Sequence, residues 1–151
     1  MHHGDIDWQF SDKYNCWDEW YPPELGIGYL YVIEFDSGWI KAGHTTDWSR
    51  RLTQIRCDYR PFGWAFARPP WRSCVVSNEP RPGGERTDLR RIEGVLLDEA
   101  RRTSDGHRFN PVIPGVGRDR SKPAATELFS GCSFGYLTAY AEVLARTDAL
   151  V

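Results

Sequence analysis

The sequence predicts an α+β domain in which helices flank a small antiparallel sheet of three strands. Three observations predict this class: two β-branched and aromatic runs separated by a tight turn, three later segments with apolar residues at helical spacing, and a length of 151 residues. That length fits one domain with a real core. The 40% hydrophobic and 26% charged residues are ordinary for a globular chain.

An acidic segment rich in aromatic residues precedes the predicted domain. Six aromatic side chains stand within residues 1–24, and Pro22-Pro23 closes the segment. Disordered segments are usually poor in aromatic residues. We therefore expect residues 1–24 to form an arm that packs along a domain of residues 25–151. Two alternatives stay open, in which the arm masks a basic surface or contacts a partner.

The predicted sheet begins with a hairpin. Tyr29 to Phe35 and Trp39 to Ala42 are the two strand-like runs, and Asp36-Ser37-Gly38 supplies turn chemistry between them. Gly43 closes the second strand. A third strand is expected somewhere in residues 64–76, which Pro69-Pro70 interrupts.

Three helices are predicted from apolar spacing and capping residues. Asp47 is placed to cap the first helix, which runs to about Tyr59. The second begins at Thr87 or Asp88 and runs to about 102, and the third spans about 134–146. Residues 103–123, rich in Gly, Pro and Arg, are predicted to form a loop too long to be only a connector, and thus a candidate substrate-contacting element.

The net charge of −2 conceals an uneven distribution along the chain. Residues 1–40 hold one basic and eight acidic side chains, whereas residues 41–122 hold 17 basic and 10 acidic ones. Nearly all the basic residues are arginines, whose planar guanidinium can bind two phosphate oxygens at once. The charge pattern is compatible with phosphate binding and equally with a solvated charged face.

The cysteines and the hydropathy exclude several other classes. The four cysteines, Cys16, Cys57, Cys74 and Cys132, contain no CxxC pair, so reduced and packed thiols are expected rather than a zinc site. No apolar run approaches the roughly 20 residues of a membrane span, and no signal peptide is present at the N-terminus. A cytoplasmic location and no membrane partner are therefore predicted.

Two charged residues interrupt the apolar stripes of the predicted helices. Arg51 lies within the stripe formed by positions 48, 52, 55 and 59, and Glu93 lies four residues from both Leu89 and Leu97. A buried charge is costly without a partner. The two could form a structural salt bridge, or both could point into a cleft where one holds a metal and the other a phosphate. Spacing leaves both options open.

The motifs resemble those of the GIY-YIG nuclease superfamily. Tyr29-Leu30-Tyr31 is similar to its first motif and Lys41-Ala42-Gly43 to its second. The family arginine stands eight residues past the motif glycine, which is the position of Arg51, and the metal-binding glutamate lies on a later helix, as Glu93 does. The segment 126–129 resembles a Glu-x-Phe element of one bacterial and phage branch. The resemblance covers roughly residues 27–130.

Several positions depart from the family pattern. The first motif lacks its glycine and isoleucine, and Lys41 replaces the second tyrosine. Lysine occurs there in branches that also carry a histidine three positions later, where His44 stands. The asparagine that often completes the family site has no clear counterpart, and Glu127 and Asn110 are the nearest options.

The resemblance implies a metal-dependent endonuclease with Tyr31, Lys41, His44, Arg51 and Glu93 as its catalytic residues. Glu93 would hold a single Mg²⁺ or Mn²⁺ ion, and Arg51 would bind the phosphate. Tyr31 would activate water if nearby positive charge lowered its pKa, and His44 is the rival base. Candidate contacts to nucleic acid, with DNA favoured over RNA, are Arg50, Arg56, Arg60, Arg90 and Arg91.

Two other functions remain open at this stage. A catalytically silent nucleic-acid-binding module would share every arginine, and a protein-interaction domain would use the acidic arm. The latter predicts no salt-dependent DNA binding. Because no separate recognition domain is visible, specificity would come from the 103–123 loop, the arm, self-association or an accessory recognition protein.

Overall fold

The computed structural model describes residues 7–11, 16–20, 26–78, 88–109 and 127–149, with side chains in 26–78, 88–106 and 128–147. Its strands are β1 (Asp7–Ser11), β2 (Cys16–Trp20), β3 (Ile27–Glu34), β4 (Ile40–Thr45), β5 (Trp71–Arg72), β6 (Val76–Ser77), β7 (Gly106–Phe109) and β8 (Glu127–Ser130). Its α-helices are α1 (Trp48–Tyr59), α2 (Asp88–Thr103) and α3 (Phe134–Ala149).

The main sheet is antiparallel and is built around the β3–β4 hairpin. Its strand order is β5-β3-β4-β8-β7, and β6 pairs with the start of β3. The predicted α+β class is confirmed, but the predicted number of three strands is not, because β7 and β8 extend the sheet beyond β4. The third strand expected in residues 64–76 is found as the two short strands β5 and β6.

The predicted hairpin turn is confirmed in its position and chemistry. Gly38 has a φ of 91°, a left-handed conformation that glycine adopts readily. Its N–H donates to the carbonyl of Phe35 at 2.9 Å, and the Asp36 carboxylate accepts from the N–H of Ala65 at 3.1 Å. The turn therefore fixes the β3–β4 register and ties it to the segment after α1.

The helices begin close to where the capping residues predict. The Asp47 carboxylate accepts from the N–H of Arg50 at 3.2 Å and so caps α1 as expected. The second helix begins at Asp88 and ends at Thr103, and the third continues to Ala149. Residues 106–109 of the predicted 103–123 loop form β7 instead, and residues 110–123 lie outside the described part of the chain.

Helices cover both faces of the main sheet. On one face, Ile55 and Tyr59 of α1 pack with Ile33, Phe35 and Leu128. On the other face, α2 and α3 pack against the alternate residues of β3 and β4. This cluster includes Leu30, Val32, Ile40, Ala42, Leu89, Ile92, Leu96, Leu137 and Ala141. We call these the α1 face and the α2–α3 face.

The N-terminal segment is a separate two-stranded hairpin. β1 pairs antiparallel with β2, and β2 lies against α1. The expectation that the arm packs along the domain agrees with this contact for the described residues 7–11 and 16–20. Cys57 of α1 is disulfide-bonded, whereas Cys74 and Cys132 are free thiols. The prediction of reduced thiols is therefore wrong for Cys57.

Candidate functional site

Tyr31 is held in place by the strand opposite it. It pairs with Gly43 across the hairpin, on the α1 face, and only 3% of its surface is exposed. A Cβ atom at position 43 would lie 2.7 Å from the Tyr31 hydroxyl oxygen and 2.9 Å from the adjacent ring carbon. Glycine at 43 thus gives the phenol the space it occupies.

Lys41 lies on the same face, two cross-strand pairs nearer the hairpin turn. It pairs with Ile33 and is 4% exposed, which is rare for a lysine. Burial and, to a smaller extent, the positive charge of Arg51 lower the pKa of Lys41 to about 7, while Asp58 and Glu93 act in the opposite direction. Among the described residues, neither the Lys41 ammonium nor the Tyr31 hydroxyl has a hydrogen-bond partner.

Arg51 stands in the first turn of α1 and is partly buried. Its guanidinium lowers the pKa values of both Tyr31 and Lys41, so it lies within electrostatic range of each. No described carboxylate forms an ion pair with Arg51. The alternative in which Arg51 and Glu93 form a structural salt bridge with each other is therefore not found.

Glu93 pairs with His44 instead. The Nδ1 atom of His44 lies 2.6 Å from Oε2 of Glu93, and about a quarter of each side chain is exposed. In the neutral imidazole, an Nδ1–H that donates to the carboxylate leaves Nε2 as the acceptor. His44 pairs with Leu30 in the hairpin, which places it on the α2–α3 face, where Glu93 of α2 meets it.

The structure thus divides the five predicted residues between two faces of the sheet. Along the β3–β4 hairpin, Lys41 lies nearer the turn, three cross-strand pairs from His44. Tyr31, Lys41 and Arg51 come from the α1 face, and His44 and Glu93 from the α2–α3 face. The two groups are electrostatically connected, since Glu93 raises the pKa values of both Tyr31 and Lys41.

The behaviour of Tyr31 differs from the expectation that nearby positive charge lowers its pKa. Burial raises the pKa of Tyr31 to about 12, and this exceeds the lowering by Arg51; Glu93 and Asp58 raise it as well. A phenol with this pKa is a poor base near neutral pH. The cause is the packing of the ring over Gly43 and beside Trp48, whose ring centroid is 6.2 Å away.

Sequence reasoning missed Asp58. This residue of α1 raises the pKa values of both Tyr31 and Lys41 and so offsets part of the positive charge of Arg51. It stands seven residues after Arg51, which is two helical turns and hence the same side of the helix. That spacing could have indicated that Asp58 lies on the same side of α1 as Arg51, although Asp58 belongs to no recognisable motif.

The five candidate arginines for nucleic-acid contact do not form one surface. Arg50 belongs to α1, and Arg56 and Arg60 are exposed near its end. Arg90 and Arg91 are exposed on the first turns of α2, which covers the opposite face, and Arg91 is 4.0 Å from Asp88. The arginines of α1 therefore share a face with Tyr31 and Lys41, and those of α2 lie near Glu93 in sequence.

The fit of the site to a divalent metal ion rests on Glu93. Within the described residues, no group of three or more His, Cys, Asp or Glu side chains is arranged to hold such an ion. Oε2 of Glu93 accepts from His44, whereas its Oε1 has no hydrogen bond to a described residue. A partly exposed carboxylate with one free oxygen fits an ion that keeps most of its ligands as water, as Mg²⁺ does.

Other predicted residues fall outside what the structure describes. Asn110 lies outside the described residues, and Glu127 belongs to β8 without a described side chain. Within the described residues, none of the helices combines the length and apolar character that a membrane crossing requires. No protein-family model, curated protein or solved structure matches the chain.

Proposed function

We propose that the chain is a metal-dependent endonuclease that hydrolyses phosphodiester bonds of nucleic acid, with DNA favoured over RNA. One observation carries the proposal. The Tyr31 hydroxyl and the Lys41 ammonium are buried and have no hydrogen-bond partner among the described residues. Both lie within electrostatic range of Arg51, which has no ion-pair partner among the described residues either. Such groups are costly to leave unsatisfied, and a phosphate would supply acceptors to all three.

The scaffold of the proposal is GIY-YIG-like. In it, β4, β3 and β5 are the three-stranded core, and β7 and β8 are additions at one edge. The support is the order of the elements, with a hairpin that carries Tyr31 and Lys41, a following helix with Arg51 and a later helix with Glu93.

The α1-face residues bind and orient the phosphate in this mechanism. Arg51 pairs with the non-bridging oxygens and stabilises the negative charge that develops on them. Tyr31 donates a hydrogen bond from its hydroxyl. Lys41 regains its full charge next to the phosphate, because a neighbouring anion raises the pKa of an ammonium group. Asp58 and Glu93 keep the cluster from becoming too positive in the absence of substrate.

The α2–α3-face residues supply the proton acceptor and the metal ligand. Nε2 of His44 takes the proton from the attacking water, while the Nδ1 hydrogen bond to Glu93 fixes the ring and its tautomer. This assignment reverses the order implied by the family resemblance, which placed Tyr31 first. Oε1 of Glu93 would hold Mg²⁺ or Mn²⁺, which when bound supplies charge stabilisation for the phosphate and leaving oxygens.

The silent nucleic-acid-binding module is the second candidate. The burial of Tyr31 and Lys41 favours it, because substrate must reach groups that are almost fully covered. Both candidates bind nucleic acid through Arg51, so binding alone does not separate them, whereas Glu93 has a role in cleavage only.

The test is incubation of the purified chain with labelled duplex, single-stranded and branched DNA, and with RNA, in Mg²⁺ or Mn²⁺. Glu93→Gln should cleave at least about 100-fold more slowly, since it loses a metal ligand and the partner of His44. Asp98→Asn, an exposed carboxylate of the same helix, is the matched control and should cleave like the wild type. Equal cleavage by the wild type and Glu93→Gln would contradict the proposal. Binding without cleavage by either would favour the silent module.

A further inference from the structure

A second site lies at the other end of α1, on the same face of the sheet as Tyr31 and Lys41. It is a pocket of about 380 Å³ between the end of α1, the following turn and the end of β3. Its lining residues are Phe35, Arg56, Arg60, Gly63, Trp64, Ala65 and Phe66. Arg56 and Arg60 are candidate contacts to nucleic acid, but no role assigned above uses the aromatic residues of this pocket.

The pocket is preformed by backbone hydrogen bonds. A single 3₁₀ turn over residues 60–62 ends at Gly63, whose φ of 74° is left-handed and reverses the chain. The following segment is then fixed against the hairpin turn, because the N–H of Asp36 donates to the carbonyl of Ala65 at 2.9 Å and Phe66 bridges to Phe35. Both walls are held in place without a ligand.

The interior of the pocket is aromatic. Trp64 stacks on Tyr59 with centroids 5.6 Å apart and planes 3° apart, and Phe35 lies 5.5 Å from Trp64 and 6.0 Å from Phe66. Phe35 is buried and forms the floor, whereas Trp64 and Phe66 are partly exposed. Partly exposed rings that are locked by their neighbours offer flat apolar surface at little cost in conformational entropy.

The rim of the pocket is positively charged. Arg56 places its guanidinium 5.1 Å from the centroid of Phe66, and Arg60 is exposed beside it. Neither forms an ion pair with a described carboxylate. The carboxylate of Asp36, which lies beside Ala65, already accepts a hydrogen bond from the Ala65 N–H. A ligand of this pocket should therefore combine a flat aromatic group with negative charge.

We propose that the pocket binds one unpaired nucleobase of a nucleic-acid strand, with Arg56 and Arg60 on the adjoining phosphates. The proposal rests on the function proposed above only in assuming that the chain binds nucleic acid. Arg56 and Arg60 stand five and nine residues after Arg51, which is about 7 Å and 13 Å along the helix. Because successive residues turn by about 100° around the axis, Arg56 and Arg60 also lie on a different side of α1 from Arg51, so a strand that contacts both passes around the helix.

The experiment uses a single-stranded oligonucleotide with one 2-aminopurine, a base whose fluorescence is quenched by stacking, in the presence of EDTA. Titration with the wild type should quench the probe and increase its anisotropy. Phe66→Leu should weaken binding about five-fold or more through loss of stacking. Arg60→Gln should also weaken binding and should lower the slope of log affinity against log salt by about 0.7. Both substitutions affect partly or fully exposed side chains, and circular dichroism melting checks their folding.

Two controls distinguish binding through the pocket from binding through general positive charge and from contacts to the nucleic-acid backbone. Arg146→Gln removes an exposed arginine from α3, on the opposite face, and should leave affinity and quenching unchanged. An abasic oligonucleotide should bind wild type and Phe66→Leu equally. The inference is overturned if the wild type does not quench the fluorescence of the probe, or if Phe66→Leu and Arg60→Gln bind like the wild type. It is also overturned if an acidic peptide containing tryptophan displaces the oligonucleotide at a lower concentration than the unlabelled strand does.

The outcome is distinguishable from that of the nuclease test. If Glu93→Gln has no effect on cleavage but the pocket variants no longer quench the fluorescence of the probe, the proposed catalytic function fails and the nucleobase pocket stands. If cleavage depends on Glu93 and the pocket variants bind normally, only the pocket inference fails.

Discussion

On the α1 face of the sheet, Tyr31 and Lys41 are buried without hydrogen-bond partners among the described residues, whereas on the α2–α3 face His44 and Glu93 bind each other. The two groups lie on opposite faces of the same two strands, β3 and β4. A buried polar group left unsatisfied costs about 1–3 kcal/mol. The α1 face therefore carries buried polar groups that a ligand can satisfy, while on the α2–α3 face one oxygen of Glu93 is already bound to His44. We interpret the first as the part that binds phosphate and the second as the part that performs the chemistry.

The largest expected effect is on the rate of cleavage, and it is tested with one residue from each face. His44→Ala should lower the rate of cleavage by about 10²–10⁴-fold, because it removes the proton acceptor. Tyr31→Phe keeps the ring over Gly43 and loses only a hydrogen bond, so its rate should fall by about 10-fold. Single-turnover cleavage at saturating DNA measures both. A larger loss in Tyr31→Phe than in His44→Ala would return the role of base to the tyrosine.

The second prediction concerns the cost of burying Lys41. Its pKa falls from 10.5 in the unfolded chain to about 7 in the folded protein. Between these values the unfolded state binds more protons, so the free energy of unfolding should rise with pH, by up to about 1.4 kcal/mol per unit. Below about pH 7 both states are protonated and the contribution is flat.

Urea denaturation of the wild type and Lys41→Met from pH 6.5 to 9.5 checks this prediction. The variant should be more stable than the wild type at pH 6.5, and the advantage should shrink as pH rises. Parallel pH profiles for the two proteins would show that Lys41 keeps an ordinary pKa in the folded protein.

The third prediction uses two glycines that stand in opposite surroundings. Gly43→Ala would place its Cβ 2.7 Å from the Tyr31 hydroxyl, so the ring must move, at a cost of about 1–3 kcal/mol in the free energy of unfolding. Gly94→Ala is the matched control, since a Cβ there meets nothing within 4 Å and the residue lies inside α2. It should stabilise the protein by about 0.5–1 kcal/mol. Chemical denaturation of both variants measures the difference, and equal effects would remove the argument for Gly43.

Much of the fold was readable because its signals are local. Asp47 caps α1 as expected, and α2 begins at one of its two predicted start residues, Asp88, because a helix is specified by residues a few positions apart. β7 and β8 were missed. Each has four residues, β7 lies in a segment rich in Gly, Pro and Arg, and their pairing depends on partners far along the chain.

The candidate site shows the same limit. Arg51 and Glu93 were recognisable as charges within apolar stripes, yet the partner of Glu93 was not, because His44 stands 49 residues away. The raised pKa of Tyr31 was also beyond reach, since it depends on how deeply the β3–β4 hairpin is covered. The sequence carried the identity of the charged groups, and the three-dimensional arrangement decides their roles.

The most direct test of the account measures binding and cleavage of the same DNA by Arg51→Gln and Glu93→Gln. Arg51→Gln should weaken binding and reduce its salt dependence, whereas Glu93→Gln should bind like the wild type and lose cleavage. This result would separate a phosphate-binding face from a chemical face. If Arg51→Gln binds and cleaves normally, or if Glu93→Gln cleaves at the wild-type rate, the assignment of the two faces is contradicted.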